Sequence, residues 1–304
     1  MSRSSSGKSP RPGRVLVLGG AGFLGSYVVD ELLSRGYRVT IFDKKRSRFH
    51  ADTPSILGDL LDARAVDAAV RGSSAVYNFA GLADLSVSVD HPLETVSLNV
   101  MGNMNALEAC RRNKIPRFVF ASTVYVYSTA GAFYGASKKC AEILIEQYSR
   151  QFNLDYTIIR YGSVYGERAD VQNRIYRLVR EALAEGKISF LGDGSEEREY
   201  IHGRDAAKLS VDILAPSYRN NHVILTGVER YKYADLLKLI QEILGEKKVR
   251  IKLLNREYKG HYRLTPYTFS PSVGRKLFNN PCVDFGQGLL ECIEAVYREL
   301  GAHP

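Results

Sequence analysis

Between Ala121 and Lys139 the chain reads ASTVYVYSTAGAFYGASKK, eight side-chain hydroxyls and two lysines in nineteen residues. Within it Tyr134 stands four residues before Lys138, the spacing that puts two side chains on one face of a helix. A phenol titrates near about 10 and is a poor base at neutral pH. A neighbouring ammonium favours the phenolate and brings it within range of proton transfer. Thr123 ends the apolar run RFVFAST just upstream, so its hydroxyl is offered at the carboxyl end of a strand, to whatever hydroxyl gives its proton to Tyr134. A Tyr-x-x-x-Lys pair is common in any sequence, and its meaning depends on what else the chain places beside it.

Upstream, the apolar run RVLVLGG ends in glycines, and Gly19, Gly22 and Gly25 recur at three-residue spacing as a helical pattern begins. Glycines there allow a tight strand-to-helix turn and close approach of a pyrophosphate to the helix N-terminus. Asp43 closes the next strand, RVTIFD, eighteen residues beyond Gly25. A carboxylate in that place bonds both ribose hydroxyls of an adenosine and repels a 2′-phosphate. The pattern predicts a dinucleotide site with NAD preferred to NADP. Lys44, Lys45, Arg46 and Arg48 follow directly and offer either a partner for a 2′-phosphate or a solvated basic loop. Asp59, in LGDLLD, is placed to bond adenine or to cap a helix starting near Asp62.

The elements that must position these groups are legible as an alternation. The short apolar runs RVLVL, RVTIFD, AVYNFAG, RFVFAST and YTIIRY read as buried strands, and FLGSYVVDELLSRGY, PLETVSLNVMGNMNALEACRRN and YGASKKCAEILIEQYSRQF as helices between them. Strand–helix–strand repetition predicts an α/β fold with a parallel sheet covered on both faces. After about Tyr161 the rhythm loosens, and helices resume at YADLLKLIQEILG and GQGLLECIEAVYREL, which predicts a smaller C-terminal lobe. A cleft between sheet and lobe is the expected site.

Composition narrows the class. The 304 residues are 45% apolar and 25% charged, as in an ordinary globular protein, with no run long enough for a membrane helix. The opening MSRSSSGKSPRPGR lacks an apolar core and reads as a disordered basic tail rather than a secretory signal. Of the net charge of +9, Arg3, Lys8, Arg11 and Arg14 supply four, which disfavours a nucleic-acid surface and favours an anionic ligand. Cys110, Cys140, Cys282 and Cys292 are scattered, which suggests reduced thiols in a cytoplasmic protein. The six histidines lack ligand spacing, and no metal is expected.

Taken together these motifs resemble the extended short-chain dehydrogenase/reductase family, specifically its NAD-dependent nucleotide-sugar epimerases and dehydratases. GGAGFLG is similar to the family's cofactor loop, STVYVYS to S-[ST]-x-x-V-Y-G, and YGASKKCAE to the catalytic Tyr and Lys motif. RYGSVYGER resembles R-x-x-N-V-Y-G-P-R, and GDGSEEREYIHGRDAA resembles G-D-G-x-Q-x-R-D-F-x-x-V-x-D-x-A. FAGLADLSVSVDHPLETVSLNVMGNMNALEA is similar to the segment flanking the nicotinamide ribose, with Asn99 at its hallmark position. The resemblance implies a Rossmann-like doubly wound parallel sheet over residues 14–165, to which parts of 200–228 return, and a substrate-binding lobe mainly over 166–304, after a tail at 1–13. It makes Thr123, Tyr134 and Lys138 the catalytic set. Around NAD it implies Gly19, Gly22, Phe23, Leu24, Gly25, Asp43, Lys44, Asp59 and Leu60 on the adenosine and pyrophosphate side. Phe79, Ala80, Gly81, Asn99, Tyr134, Lys138 and Tyr161 fall on the nicotinamide side. Ser86, Thr123 and Ser163 would touch substrate, and Arg198 would hold a nucleotide diphosphate.

Departures from the family pattern narrow the reaction. Its 4,6-dehydratases carry Asp and Glu directly after the catalytic Thr, and its uronate decarboxylases carry the Glu. This chain has Val124 and Tyr125. What remains is reversible oxidation of a sugar hydroxyl, so the expectation is a UDP-sugar C4 epimerase. A net dehydrogenase or reductase, and a non-catalytic dinucleotide- or RNA-binding protein, are the alternatives. The connection between Tyr127 and Tyr134 is shorter than in relatives, and Ser163 replaces an Asn. By the same resemblance the helices around 93–112 and 136–152 form a homodimer surface through a four-helix bundle, with Leu98, Met101, Ile143 and Ile145 either contacts there or facing the sheet. In the lobe, Arg256, His261 and Arg263 are either phosphate contacts or surface residues.

Overall fold

The computed structural model describes residues 13–244, 249–254, 264, 266, 274–278 and 282–301. The expected tail, apart from Gly13, and Arg256, His261 and Arg263 lie outside the described residues. The first half alternates strand and helix: β1 (Arg14–Leu18), α1 (Phe23–Ser34), β2 (Arg38–Asp43), β3 (Ser55–Leu57), α2 (Ala63–Val70) and β4 (Ala75–Asn78). There follow α3 (Leu85–Asp90), α4 (Pro92–Val96), α5 (Gly102–Arg112), β5 (Phe118–Thr123), α6 (Ala132–Phe152) and β6 (Tyr156–Tyr161). Beyond these come β7 (Ser163–Tyr165), α7 (Arg174–Glu185), β8 (Lys187–Leu191), β9 (Glu197–His202), α8 (Gly203–Asp212), β10 (Asn221–Leu225) and β11 (Arg230–Lys232). The last are α9 (Tyr233–Ile243), β12 (Arg250–Leu254), β13 (Arg275–Leu277) and α10 (Phe285–Glu299).

Eight strands form one sheet in the order β13-β10-β6-β5-β4-β1-β2-β3, and each of its pairings is parallel. Alternation along the strands splits their side chains between two cores. Val15, Val17, Val39, Ile41, Val119 and Ile159 pack toward α1 and α8, and Leu16, Leu18, Val76, Phe118, Phe120 and Ile158 pack toward α2, α5 and α6. The order reverses between β1 and β4, which opens a crevice beyond their carboxyl ends. A third core joins α7, α9 and α10 around Leu178, Val179, Leu236, Leu289 and Ile293 and carries the pairs β8–β12 and β11-β9-β7.

Two features depart from the sequence pattern. The helix expected from Pro92 to Asn113 is interrupted by a π-helical turn, Ser97–Met101, between α4 and α5. The stretch GDGSEEREYIHGRDAA, which lacks visible rhythm, forms β9 and α8, and β13 joins the large sheet from within the stretch read as mainly lobe. Among the described residues no helix is long and apolar enough to cross a membrane.

Candidate active site

A cleft of about 730 Å³ lies at the carboxyl ends of the sheet strands, with walls from the sheet and from the lobe. Its floor begins at the glycine loop. Gly19 takes φ +79°, and a Cβ there would meet the Ala80 nitrogen at 2.5 Å; at Gly25 a Cβ would meet the Gly19 carbonyl oxygen at 2.3 Å. Only glycine lets β1, β4 and α1 converge this closely. Helix α1 starts at Gly22 with no side-chain cap and no acid in its first turn, so its leading N–H groups face the cleft uncompensated. Such a loop fits the pyrophosphate of a dinucleotide.

Asp43 ends β2 beside that loop. Its Oδ2 accepts the Ala21 N–H at 3.0 Å, which fixes the carboxylate at the cleft edge. Lys44 turns to Asp59 at 3.1 Å. Asp59 also accepts the Leu61 N–H at 2.9 Å, a bond that heads the causes holding its carboxyl below the usual range. Asp62, not Asp59, caps α2, through the N–H groups of Arg64 and Ala65. Of the residues expected from sequence, Asp59 and Asn99 do not line the cleft. Gly19, Gly22, Phe23, Leu24, Gly25, Asp43, Lys44, Leu60, Phe79, Ala80 and Gly81 do, as do Ser86, Thr123, Tyr134, Lys138, Tyr161, Ser163 and Arg198. Asn99, carried by the π-helical turn, works one layer below. Its Oδ1 accepts the Leu82 N–H at 2.8 Å, and its Nδ2 donates to the Leu82 carbonyl at 2.9 Å and to Ser137 Oγ at 3.0 Å. It therefore ties the loop after β4 to α6.

The Thr–Tyr–Lys set converges on one wall. Thr123 is the last residue of β5, and its Oγ1 accepts the Tyr125 N–H at 3.2 Å, which leaves its own O–H to donate. Tyr134 is the third residue of α6, half-buried, with its ring edge-on to Tyr125 at a centroid distance of 6.3 Å. Lys138, one turn along, is buried, and its Nζ donates to the Ala121 carbonyl at 2.9 Å. Burial pulls the Lys138 ammonium down to about 8, while the Glu142 carboxylate a further turn on acts in the opposite sense. Ala132, two residues before Tyr134, takes φ +45°, a strained conformation for a residue with a Cβ.

The lobe wall is made of residues that periodicity did not single out. Asn173 caps α7 and donates to the Val164 carbonyl at 2.9 Å. Arg174 lies 5.3 Å from the ring centroids of both Phe190 and Tyr233. Arg177 pairs with Asp84 at 3.5 Å, reaching from α7 to the segment before α3. Arg198, on β9, is buried, donates to the Glu197 carbonyl at 2.9 Å and lies 5.9 Å from the Tyr233 ring centroid. The signal that would have found Arg174 and Arg177 is cationic residues clustered on a lobe helix of otherwise amphipathic pattern.

Away from the cleft lining, Glu167, His202 and Glu291 bring three possible ligand atoms within 4.8 Å. His202 Nδ1 accepts the Arg204 N–H at 3.2 Å, which leaves the ring proton on Nε2, facing Glu167 at 3.4 Å and Glu291 at 3.8 Å. Arg204 bridges both carboxylates. The carboxylates are thus taken up by Arg204, and the imidazole presents them a proton rather than a lone pair.

A family model described as "NAD dependent epimerase/dehydratase family" matches residues 15–226. The chain is 28% identical to a putative UDP-glucose 4-epimerase of Methanocaldococcus jannaschii over 254 residues, 76% of this chain and 82% of that one. It is equally 28% identical to a UDP-N-acetyl-alpha-D-glucosaminuronate decarboxylase of Bacillus cytotoxicus, over 94% of this chain and 98% of that one. The solved structure of a Thermus thermophilus UDP-glucose 4-epimerase, a complex with NAD, superposes with a TM-score of 0.79 at 25% identity, covering 93% of this chain and 98% of that one.

Proposed function

The chain belongs to the NAD dependent epimerase/dehydratase family, and on that premise we propose that it is a C4 epimerase of a UDP-sugar. The observation that carries the reading is one wall holding Thr123, Tyr134 and Lys138 together, with no carboxylate directly after Thr123. The fit to NAD rests on the closely packed glycine loop, the uncapped start of α1 and Asp43 at the cleft edge. When bound, NAD supplies reversible hydride acceptance and return at a sugar carbon. Gly22 and Gly25 would leave room for its pyrophosphate, Asp43 would accept from its adenosine ribose, and Lys138 would approach its nicotinamide ribose.

The chain's own part is to move one proton and to hold the sugar. Tyr134 Oη takes the proton of the sugar 4-hydroxyl and later returns it. Lys138, kept charged near neutral pH despite burial, favours the phenolate. Thr123 donates its O–H to the same sugar oxygen. Arg198, with a planar guanidinium, binds the diphosphate, and Ser86 and Ser163 complete the polar lining. A tethered diphosphate lets the 4-keto sugar turn over without leaving. Val124 is buried and carries no proton, which supports epimerisation over water loss. The relatives described as UDP-glucose 4-epimerases support the UDP-sugar.

Two further parts belong to the same reading. The four cysteines of the chain, buried at Cys110 and Cys292 and exposed at Cys140 and Cys282, are free thiols, which fits a cytoplasmic setting. A homodimer through α4, the π-helical turn and α6 fits the exposure of Leu93 at 85%, Met101 at 56% and Ile143 at 47%. Ile145 is fully buried and Leu98 packs against the core, so those two do not serve that face.

Purified protein incubated with UDP-glucose, UDP-N-acetylglucosamine and their uronates should form C4 epimers by NMR without net NADH production. Tyr134→Phe should lower turnover by at least about 10²-fold. Stoichiometric NADH formation would replace this reading with a net dehydrogenase, and no turnover of any UDP-sugar by NAD-loaded protein would remove it.

A further inference from the structure

Beneath the catalytic wall, on the α6 face of the sheet, lies a buried polar cluster that the proposed chemistry does not use. Ser122 and Arg160 are register partners on β5 and β6. Both point at α6, as do Phe120 and Ile158 two residues before them. Glu142 meets them there, four residues after Lys138. Its Oε1 accepts from Ser122 Oγ at 2.5 Å and from Arg160 Nε at 3.0 Å, and its Oε2 accepts from Arg160 Nη2 at 2.6 Å. Arg160 Nη1 donates to the Tyr127 hydroxyl. Side-chain exposure is 0% for Arg160 and 1% for Glu142.

An ion pair this deep is an expensive way to hold a helix on a sheet. Apolar residues of similar volume usually hold as well or better, because two charges must be stripped of water. Its neighbours suggest why it is there. Ser122 directly precedes Thr123 in β5. Glu142 stands one turn beyond Lys138 and two turns beyond Tyr134 on the same helix face. Tyr127 ends the 3₁₀ turn, Val124–Tyr127, that leads from Thr123 into the short connection before Tyr134. Ser122, Glu142 and Tyr127 are therefore one bond, one turn and one short loop from residues of the catalytic wall, and Arg160 binds two of the three. A packed apolar contact tolerates a small slide of helix on strand; a forked guanidinium–carboxylate bond does not.

We propose that Glu142 and Arg160 are positioning residues, which lock the register of α6 on β5 and β6 so that Tyr134 and Lys138 stand opposite Thr123. The inference rests on the reading of those three residues given above. It adds to that reading a buried pair, outside the cleft lining, on which turnover depends.

The test separates stability from positioning. The triple variant Ser122→Ala/Glu142→Met/Arg160→Met removes the charges and leaves neither partner of the ion pair buried alone. It should fold with a urea midpoint near or above that of the wild type and still bind NAD. Its kcat should fall about 10- to 100-fold, the scale expected for a small misplacement of reacting groups, with KM changed less than about threefold. The alkaline limb of its kcat profile should move to lower pH, since burial then acts on Lys138 without the Glu142 charge that offsets it. A purely structural pair would leave kcat unchanged, although loss of the Glu142 charge would still move that limb. A folded triple variant with wild-type kcat overturns the proposal, whatever its limb does.

Should the triple variant not fold, Arg160→Lys keeps both charges in place while removing the forked bond to Glu142. A several-fold drop in kcat at unchanged urea midpoint supports the proposal, and unchanged kcat overturns it. Tyr134→Phe measured in parallel keeps the two readings apart. If that variant stays active, the catalytic assignment fails. If it is inactive while the triple variant turns over normally, only the positioning role fails.

Discussion

The two walls of the cleft are built by opposite means. The sheet wall is fixed by short, buried contacts: glycine against backbone at Gly19 and Gly25, Lys138 on the Ala121 carbonyl, Asn99 bridging Leu82 and Ser137. The lobe wall presents long cationic side chains from α7 and β9, Arg174, Arg177 and Arg198, stacked on rings or paired across the cleft. Contacts of the first kind cannot shift without steric cost, whereas those of the second kind can be re-aimed by rotamer. On the function proposed above, proton transfer falls to the rigid wall and the choice of sugar nucleotide to the adaptable one.

The largest expected effect breaks the rigid wall. Lys138→Met should lower kcat by at least about 10²-fold while NAD and substrate still bind. Its effect on stability carries a definite sign. Unfolded lysine holds its proton to about 10.5, whereas the folded state releases it near about 8. Between those values the unfolded state binds more protons, so wild-type stability rises with pH through that window, by at most about 3 kcal/mol. Lys138→Met lacks this rise. Urea unfolding of both proteins at about pH 7 and about pH 10 measures it, and parallel curves would contradict the buried ammonium.

A change in the adaptable wall should act on binding instead. Arg198→Ala is expected to raise KM about 10- to 100-fold, the range for loss of a charge-assisted hydrogen bond, with kcat within about threefold. Initial rates against UDP-sugar concentration at saturating NAD separate the two parameters. A fall in kcat at unchanged KM would place Arg198 with the chemistry and erase the distinction between the walls.

The same contrast governs what the sequence disclosed. The strands of the rigid wall were legible because β1, β2, β4, β5 and β6 are nearly unbroken apolar runs, and the glycine loop and Tyr134–Lys138 spacing sit at their ends. Strand β9 and α8 were not, because Arg198, Glu199, His202 and Asp205 are buried although polar, and a hydrophobic pattern places such residues outside. Arg160 escaped notice for a related reason. It sits inside the apolar strand YTIIRY, and its meaning depends on Glu142, eighteen residues earlier and on another element. The π-helical turn that carries Asn99 is a single turn, too short for its change of phase to stand out in a run that reads as one helix.

The smallest effect asks where the rigid wall is anchored. The short connection ahead of Tyr134 enters α6 through Ala132, held at φ +45° and ψ −141°. That conformation costs on the order of 1–3 kcal/mol for a residue with a Cβ. Glycine adopts it freely but adds unfolded-state entropy, about 0.5–1 kcal/mol. Ala132→Gly should therefore stabilise the fold by roughly 1 kcal/mol, read as a higher urea midpoint. Its kcat should stay within about twofold, because Ser137, Lys138 and Glu142 fix α6 further along, through Asn99, Ala121 and Arg160. A stabilised variant that loses turnover would mean that the strained entry, not the helix interior, holds the phenol in place. The positioning assigned to Glu142 and Arg160 would then have to be shared with the loop.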